Sequence, residues 1–339
     1  MELVAGRFEL YDRIGDGGMG RVWRAFDRKS GRWIAAKQLT HSDAAMVLRF
    51  VREQALRIDH PHVLAPTGWA ADDDRVVLAM DLVAGGSLET LLGDHGALPD
   101  AYAAVLLDQL LAALEAIHAH GVVHRDIKPA NLLLDATGTG MPRLRVSDFG
   151  VSVIMDEPRL THTSMSIGTL GYMAPEQARG AEPEPRHDLH AAGVVGKRMI
   201  TGQPSRGLPE NWPSPLWPFL ARLTDPDPRR RPSSAADARA ELRRTGLLTG
   251  GTPWLAEPDP PEVFDQLAAL PRRTLIDSPP TPTPVDPGTG RRIAAPARAQ
   301  RPARNSGRGA RKTALIVLTA GAFLGAIALV VAILVILLG

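Results

Sequence analysis

The chain has 339 residues, 44% hydrophobic and 22% charged, an ordinary globular composition with room for one large domain or two. It contains no cysteine, which excludes disulfides, thiolate zinc sites and cysteine nucleophiles. The net charge of +2 conceals a local excess, because Arg291 to Lys312 carries eight basic residues and no acidic one.

The start, Met1-Glu2-Leu3, has no basic region followed by an apolar run, so no cleavable signal peptide is expected. Residues 7–39 read as three strands joined by a glycine turn and by a second turn at Lys29-Ser30-Gly31. The first turn is Ile14-Gly15-Asp16-Gly17-Gly18-Met19-Gly20-Arg21-Val22. Gly15, Gly17 and Gly20 have the G-x-G-x-x-G spacing, which lets backbone amides approach phosphates closely. That spacing also marks dinucleotide-binding folds and plain hairpins. A dinucleotide fingerprint requires a helix straight after the glycines, whereas Val22-Trp23-Arg24-Ala25-Phe26 reads as a strand, so a hairpin is expected.

In the next strand, Trp33 to Leu39, Lys37 lies among apolar residues, where a charge is costly unless an anion or a carboxylate meets it. Residues 43–58 have helical periodicity, and Glu53, the acid in the interior of that segment, is the expected partner of Lys37. Val76 to Met80 reads as a buried strand and Asp81 to Gly86 as the connection out of it. Ala101 to His120 is a long apolar helix that ends at Gly121, a good C-cap.

His124-Arg125-Asp126-Ile127-Lys128-Pro129-Ala130-Asn131 follows. Pro129 forbids a regular helix here, and a short strand, Leu132 to Leu134, comes next. An acid, a base and an amide at these offsets suit phosphoryl transfer. Asp126 can take the proton of an attacking hydroxyl, Lys128 can neutralise phosphate charge, and Asn131 can hold a metal that bridges the phosphates. A further strand, Leu144 to Ser147, delivers another carboxylate in Asp148-Phe149-Gly150.

At the far end, residues 248–312 are rich in proline and glycine and read as an extended, disordered tether. Ala314 to Leu338 gives 25 consecutive uncharged residues, more than the roughly 20 that span a bilayer. A transmembrane helix is therefore expected over 313–338. The arginine-rich run before it sets residues 1–312 on the cytoplasmic side by the positive-inside rule, with essentially no extracellular domain. The same run is expected to meet anionic membrane lipids, and nucleic-acid binding is not expected beside a membrane.

In order and spacing, these motifs resemble a eukaryote-like (Hanks-type) serine/threonine protein kinase, of the membrane-anchored bacterial kind, over residues 7 to about 247. The resemblance implies an α+β bilobal protein kinase fold within residues 1–247, with a β-rich N-lobe over about 7–80, a helical C-lobe over about 85–247 and one C-terminal transmembrane helix. Gly15, Gly17 and Gly20 would cover the phosphates, Lys37 would orient them, and Glu53 would be its helix partner. Asp126 would be the catalytic base, Lys128 the lysine typical of the serine/threonine class, and Asn131 and Asp148 the Mg2+ ligands. Val22 and Ala35 would lie above the adenine and Leu133 below it, with Met80 at the back, Asp81 and Val83 offering hinge backbone groups, and Ile14 also among the nucleotide-binding residues.

Gly150 to Glu176 resembles an activation loop, in which phosphate on Thr161 or Thr163 would pair with Arg125. Asp188 matches a buried helix aspartate that holds the catalytic loop, and Arg231 matches an arginine that pairs with Glu176. The implied cofactors are ATP and Mg2+, with Mn2+ as a substitute. The implied partners are proteins presenting serine or threonine, and a second copy of the chain for autophosphorylation in trans. There is one departure: between Gly202 and Leu216 the chain is proline-rich and shorter than the family's usual docking helix region. The alternative reading is a membrane-anchored pseudokinase scaffold. It would be signalled by loss of Lys37, Asp126, Asn131 or Asp148, and all four are present.

Overall fold

Alternation of side chains along extended chain dictates the N-terminal layer. The computed structural model describes residues 2–17, 20–39, 58–72, 75–148, 171–267 and 269. Strands β1 (Glu2–Val4), β2 (Phe8–Gly17), β3 (Gly20–Asp27), β4 (Arg32–Leu39), β5 (Pro66–Asp72) and β6 (Arg75–Met80) form one antiparallel sheet in the order β1-β2-β3-β4-β6-β5. Along β4 the period of two sends Ile34 and Ala36 into a small core with Phe8, Leu10 and Val77. Ala35 and Leu39 go to the opposite face, against the main core, and Lys37 shares their side by the same alternation.

The glycine turn is a β2–β3 hairpin, as expected, closing with Gly17 opposite Gly20. The second turn closes through the Gly31 N–H on the Asp27 carbonyl at 2.8 Å, with Gly31 at φ +69°. Strand β5 has no sequence signal of its own. Pro66, Gly68 and a half-exposed burial pattern are those of an edge strand.

The second layer is helical. α1 (Leu88–His95) starts at Ser87, whose hydroxyl accepts from the Thr90 N–H. α2 (Asp100–Ala119) buries residues on most of its circumference, from Tyr102 to Ile117, and packs against the later helices. Among the described residues it alone is long and apolar enough to cross a membrane, and it is the central helix of this core. The short strands β7 (Leu132–Leu134) and β8 (Leu144–Val146) pair antiparallel at its side. α3 (Pro175–Ala178), α4 (Pro185–Thr201), α5 (Trp217–Leu223) and α6 (Ala235–Arg244) complete the layer.

One expectation is corrected. The proline- and glycine-rich stretch does not leave the domain at residue 248: Met1–Leu270 is one compact unit. Trp254 is 1% exposed in the turn Pro253–Ala256, and Val263 is 2% exposed. The Trp254 indole donates to the Thr139 carbonyl at 3.0 Å and meets the Tyr102 ring edge-on at 4.9 Å. Two buried apolar anchors suffice to dock a chain whose average composition reads as a linker. The body of the expected 43–58 helix with Glu53, the loop with Thr161 and Thr163, and the expected span at 313–338 lie outside the described residues.

Candidate active site

The loop from His124 to Asn131 has no ladder partner for its backbone, so side chains must hold it. Asp188, 1% exposed on α4, does most of this: its carboxylate accepts from the backbone N–H groups of His124 at 2.8 Å and Arg125 at 2.7 Å. His118, near the end of α2, adds a third bond to the same carboxylate at 2.8 Å. Burial alone would raise the Asp188 carboxyl, but the His118 bond and its neighbours outweigh it and keep the group below its ordinary range. The expectation for Asp188 is met, and His118 is an addition that its position on an apolar helix did not signal.

Held this way, Arg125 takes φ +65°, and Asp148 takes φ +61°. Left-handed backbone at a residue with a side chain costs on the order of 1 kcal/mol and persists where surroundings over-determine it. His124 is fully buried. Its Nδ1 accepts from the Asp126 N–H at 3.3 Å, which assigns the hydrogen to Nε2, and Nε2 then donates to the Ser147 carbonyl at 2.9 Å. Ser147 also bonds the Asn131 carbonyl through its N–H at 2.9 Å and its hydroxyl at 3.0 Å. The loop bearing Asp126 and the strand delivering Asp148 are thus tied together.

Within the loop, Asp126 Oδ2 accepts from Lys128 Nζ at 2.8 Å and from Asn131 Nδ2 at 2.9 Å. Asp126 Oδ1 is buried and has no hydrogen-bond partner among the described residues. One carboxylate oxygen is therefore fixed and the other is left to accept. Asn131 also donates Nδ2 to the Asp126 carbonyl at 2.8 Å, so its amide orientation is set and its oxygen is the atom suited to a cation.

Across the interlobe cleft, Lys37, 5% exposed, reaches Asp148 Oδ1 at 2.6 Å. Partial desolvation works to raise the half-buried Asp148 carboxyl, and the Lys37 charge and hydrogen bond more than offset it, holding the group below its ordinary range. The described partner of Lys37 is Asp148, while the expected partner Glu53 lies outside the described residues. An ionised carboxylate and an oriented amide oxygen form the hard oxygen donor set that Mg2+ prefers.

The residues expected around adenine come together by register. Ala35 pairs with Met80, Val22 with both Gly15 and Lys37, and Leu133 sits on β7 opposite Arg145. Ile14, Val22, Val83 and Leu133 pack half-buried against a core that includes Ala35 and Met80. A side chain at Gly20 would strike the Gln38 carbonyl at 1.9 Å, so the last glycine of the motif is required by the approach of β4. Arg145, which sequence reading passed over, spans Asp81 at 3.1 Å and Asp135 at 3.3 Å, linking hinge to β8.

Arg231 grips both Glu176 oxygens at 2.5 and 2.9 Å, as expected. Glu176, Glu184 and His187 bring their donor atoms within 4.8 Å of one another, a metal-like cluster. The Arg231 guanidinium already supplies its cation. In the shortened segment, the Ser205 hydroxyl lies where a side chain at Gly171 would be, so the turn Ser205–Gly207 backs directly on Gly171.

The protein kinase domain family matches residues 8–211. The serine/threonine-protein kinase PkaA of Streptomyces coelicolor is 35% identical over 272 residues, which cover 70% of this chain and 50% of PkaA. PknA of Mycobacterium tuberculosis is 31% identical over 360 aligned positions, covering 98% of this chain and 81% of PknA. The Myxococcus xanthus kinase pkn3 is 32% identical over 273 residues, 71% of this chain and 50% of its own length. The chain thus spans about half the length of two of these relatives and about four fifths of the third. With its glycine hairpin, Lys37–Asp148 pair and Asp188-held loop in the family's order, the chain belongs to the protein kinase domain family, among the bacterial serine/threonine kinases.

Proposed function

We propose that this chain transfers the γ-phosphate of ATP to serine and threonine hydroxyls of proteins. The observation that carries the reading is Asp126: Oδ2 is clasped by Lys128 and Asn131 while the buried Oδ1 is left without a partner. A hydroxyl brought to Oδ1 can give up its proton as its oxygen attacks phosphorus, and Lys128 stands beside it to meet phosphate charge. Lys37 orients the nucleotide phosphates. Asp148 and Asn131 would hold Mg2+, which on binding supplies charge neutralisation across the phosphates. Ile14, Val22, Ala35, Met80 and Leu133 enclose the base, with Asp81 and Val83 presenting backbone groups.

Arg125 sits one residue before Asp126 in strained backbone, so its setting is a natural point of control. Phosphate on Thr161 or Thr163 would pair with it and order the activation loop. The apolar C-terminus at 313–338 would tether the enzyme to the cell membrane as a single span, with the arginine run at the lipid surface and copies close enough to act in trans. Against the scaffold alternative, Lys37, Asp126, Asn131 and Asp148 are all present, and among the described residues Lys37 meets Asp148 while Lys128 and Asn131 meet Asp126.

The test is incubation of the purified chain with γ-labelled ATP and Mg2+, followed by phosphoamino-acid analysis and site mapping. Label on serine and threonine, with Thr161 or Thr163 among the sites, is the expected result. ATP binding without label transfer, or label confined to tyrosine, contradicts the reading.

A further inference from the structure

The hinge between the lobes, Asp81 to Gly86, is touched from outside by a segment that arrives from the far end of the C-lobe. After the Trp254 anchor the chain runs back along that lobe: the Glu262 N–H lies 3.3 Å from His95 Nε2, and Val263 exchanges two backbone hydrogen bonds with Gly138 at 2.8 and 2.9 Å. It then reaches the hinge, where the Gln266 N–H donates to the Ala84 carbonyl at 2.9 Å. The glycine pair in the hinge fits this arrival. A side chain on Gly85 would lie 2.5 Å from Val263 Cγ1 and 2.6 Å from the Leu134 carbonyl. On Gly86, already at φ +76°, it would lie 2.6–2.7 Å from the Gln266 amide. Both glycines are spaces that this segment fills.

The same hinge residues hold the strand beneath the adenine pocket. The Gly85 N–H donates to the Leu134 carbonyl and the Leu134 N–H to the Gly86 carbonyl, both at 2.9 Å, and Leu133 is the neighbouring residue on the same strand. The hinge is therefore fixed from one side by β7 and from the other by the returning segment, which also pairs with Gly138 in the connection that follows β7.

We infer that Trp254 to Gln266 is a hinge strap, and that Val263 and Gln266 are positioning residues for the nucleotide site. They touch neither nucleotide nor substrate, and they act by fixing Ala84, Gly85 and Gly86. The inference rests on the kinase reading for what the hinge binds. It adds that the returning segment, through its contacts with Ala84, Gly85 and Gly86, bears on nucleotide affinity.

The test uses the full chain carrying Gln266→Pro, which removes the N–H bonded to Ala84, and Gln266→Ala, which keeps it. Mg-ATP affinity is read by direct titration and by the KM for ATP in autophosphorylation. Losing one backbone hydrogen bond predicts that Gln266→Pro weakens ATP about three- to tenfold with kcat within about twofold, while Gln266→Ala, which keeps that bond and loses only the packing on Gly86, weakens it less than Gln266→Pro. Val263→Ala, which empties the space behind Gly85, shifts affinity the same way and serves if the proline variant does not fold. A lowered melting temperature with unchanged ATP affinity in both Gln266→Pro and Val263→Ala would overturn the strap and leave a structural tail only. Because binding is measured without turnover, a chain that binds ATP and fails to transfer phosphate sinks the kinase reading separately.

Discussion

The two lobes hold their functional charges by opposite means. Lys37 stands on a strand whose backbone is paired on both sides, opposite Val22 on β3 and Leu78 on β6, so its position follows from the sheet register. Asp126 stands on a loop with no ladder, placed by the side chains of Asp188, His124 and Asn131. Backbone held by backbone survives loss of a side chain; backbone held by side chains does not. Mutations in the N-lobe site should therefore separate chemistry from stability, and those in the C-lobe site should move both.

The largest stability effect is expected where side chains carry most. Arg231→Met removes a fully buried guanidinium from Glu176 and should cost about 3–5 kcal/mol in urea unfolding, since it strands the other half of a buried pair. A loss below about 1 kcal/mol would mean that the pair is not what closes this end of the C-lobe.

Next is an acid sensitivity centred on His190, which is 8% exposed on α4. Burial, reinforced by the charge of Arg231, lowers its pKa to about 4. The unfolded chain titrates near the ordinary value of about 6.5, so between these values the folded state binds fewer protons. Its contribution is fully present above pH about 6.5 and is lost as pH falls towards about 4, amounting to about 3 kcal/mol. Stability against pH should slope across that window, and His190→Gln should flatten it.

Asp188→Asn leaves one oxygen for two backbone donors and should cost about 1–3 kcal/mol, with transfer activity falling as Arg125 leaves its strained conformation. The smallest stability effect falls in the other lobe. Lys37→Met should abolish phosphate transfer yet shift the unfolding free energy by less than about 1 kcal/mol, because the Asp148 side chain is 36% exposed and can rehydrate. A Lys37→Met variant that unfolds as readily as Asp188→Asn would erase the contrast between lobes.

The same contrast explains what the sequence made legible. The hairpin of β2 and β3, strand β4 with Lys37 and helix α2 follow from periodicity and turn chemistry, because regular backbone is set by its own residues. Asp126, Asn131 and Asp148 were legible through motif spacing. The contact of Lys37 with Asp148 spans 111 residues and carries no local signal. His118 looked like one more residue on an apolar helix, and the positive φ of Arg125 and Asp148 is imposed from outside their own segments. The strap was concealed by composition: Trp254 and Val263 are two anchors among prolines and glycines that, averaged, read as linker.

The central claim is that Asp126, through its unpartnered oxygen, receives the proton of the attacking hydroxyl. Single-turnover phosphate transfer by Asp126→Asn, at saturating Mg-ATP and with nucleotide affinity measured alongside, tests it most directly. The amide keeps the shape but loses the basic oxygen, so the rate should fall by about 10²- to 10⁴-fold while ATP affinity stays at the wild-type value. A variant that transfers phosphate within about tenfold of the wild-type rate would contradict the role assigned to Asp126.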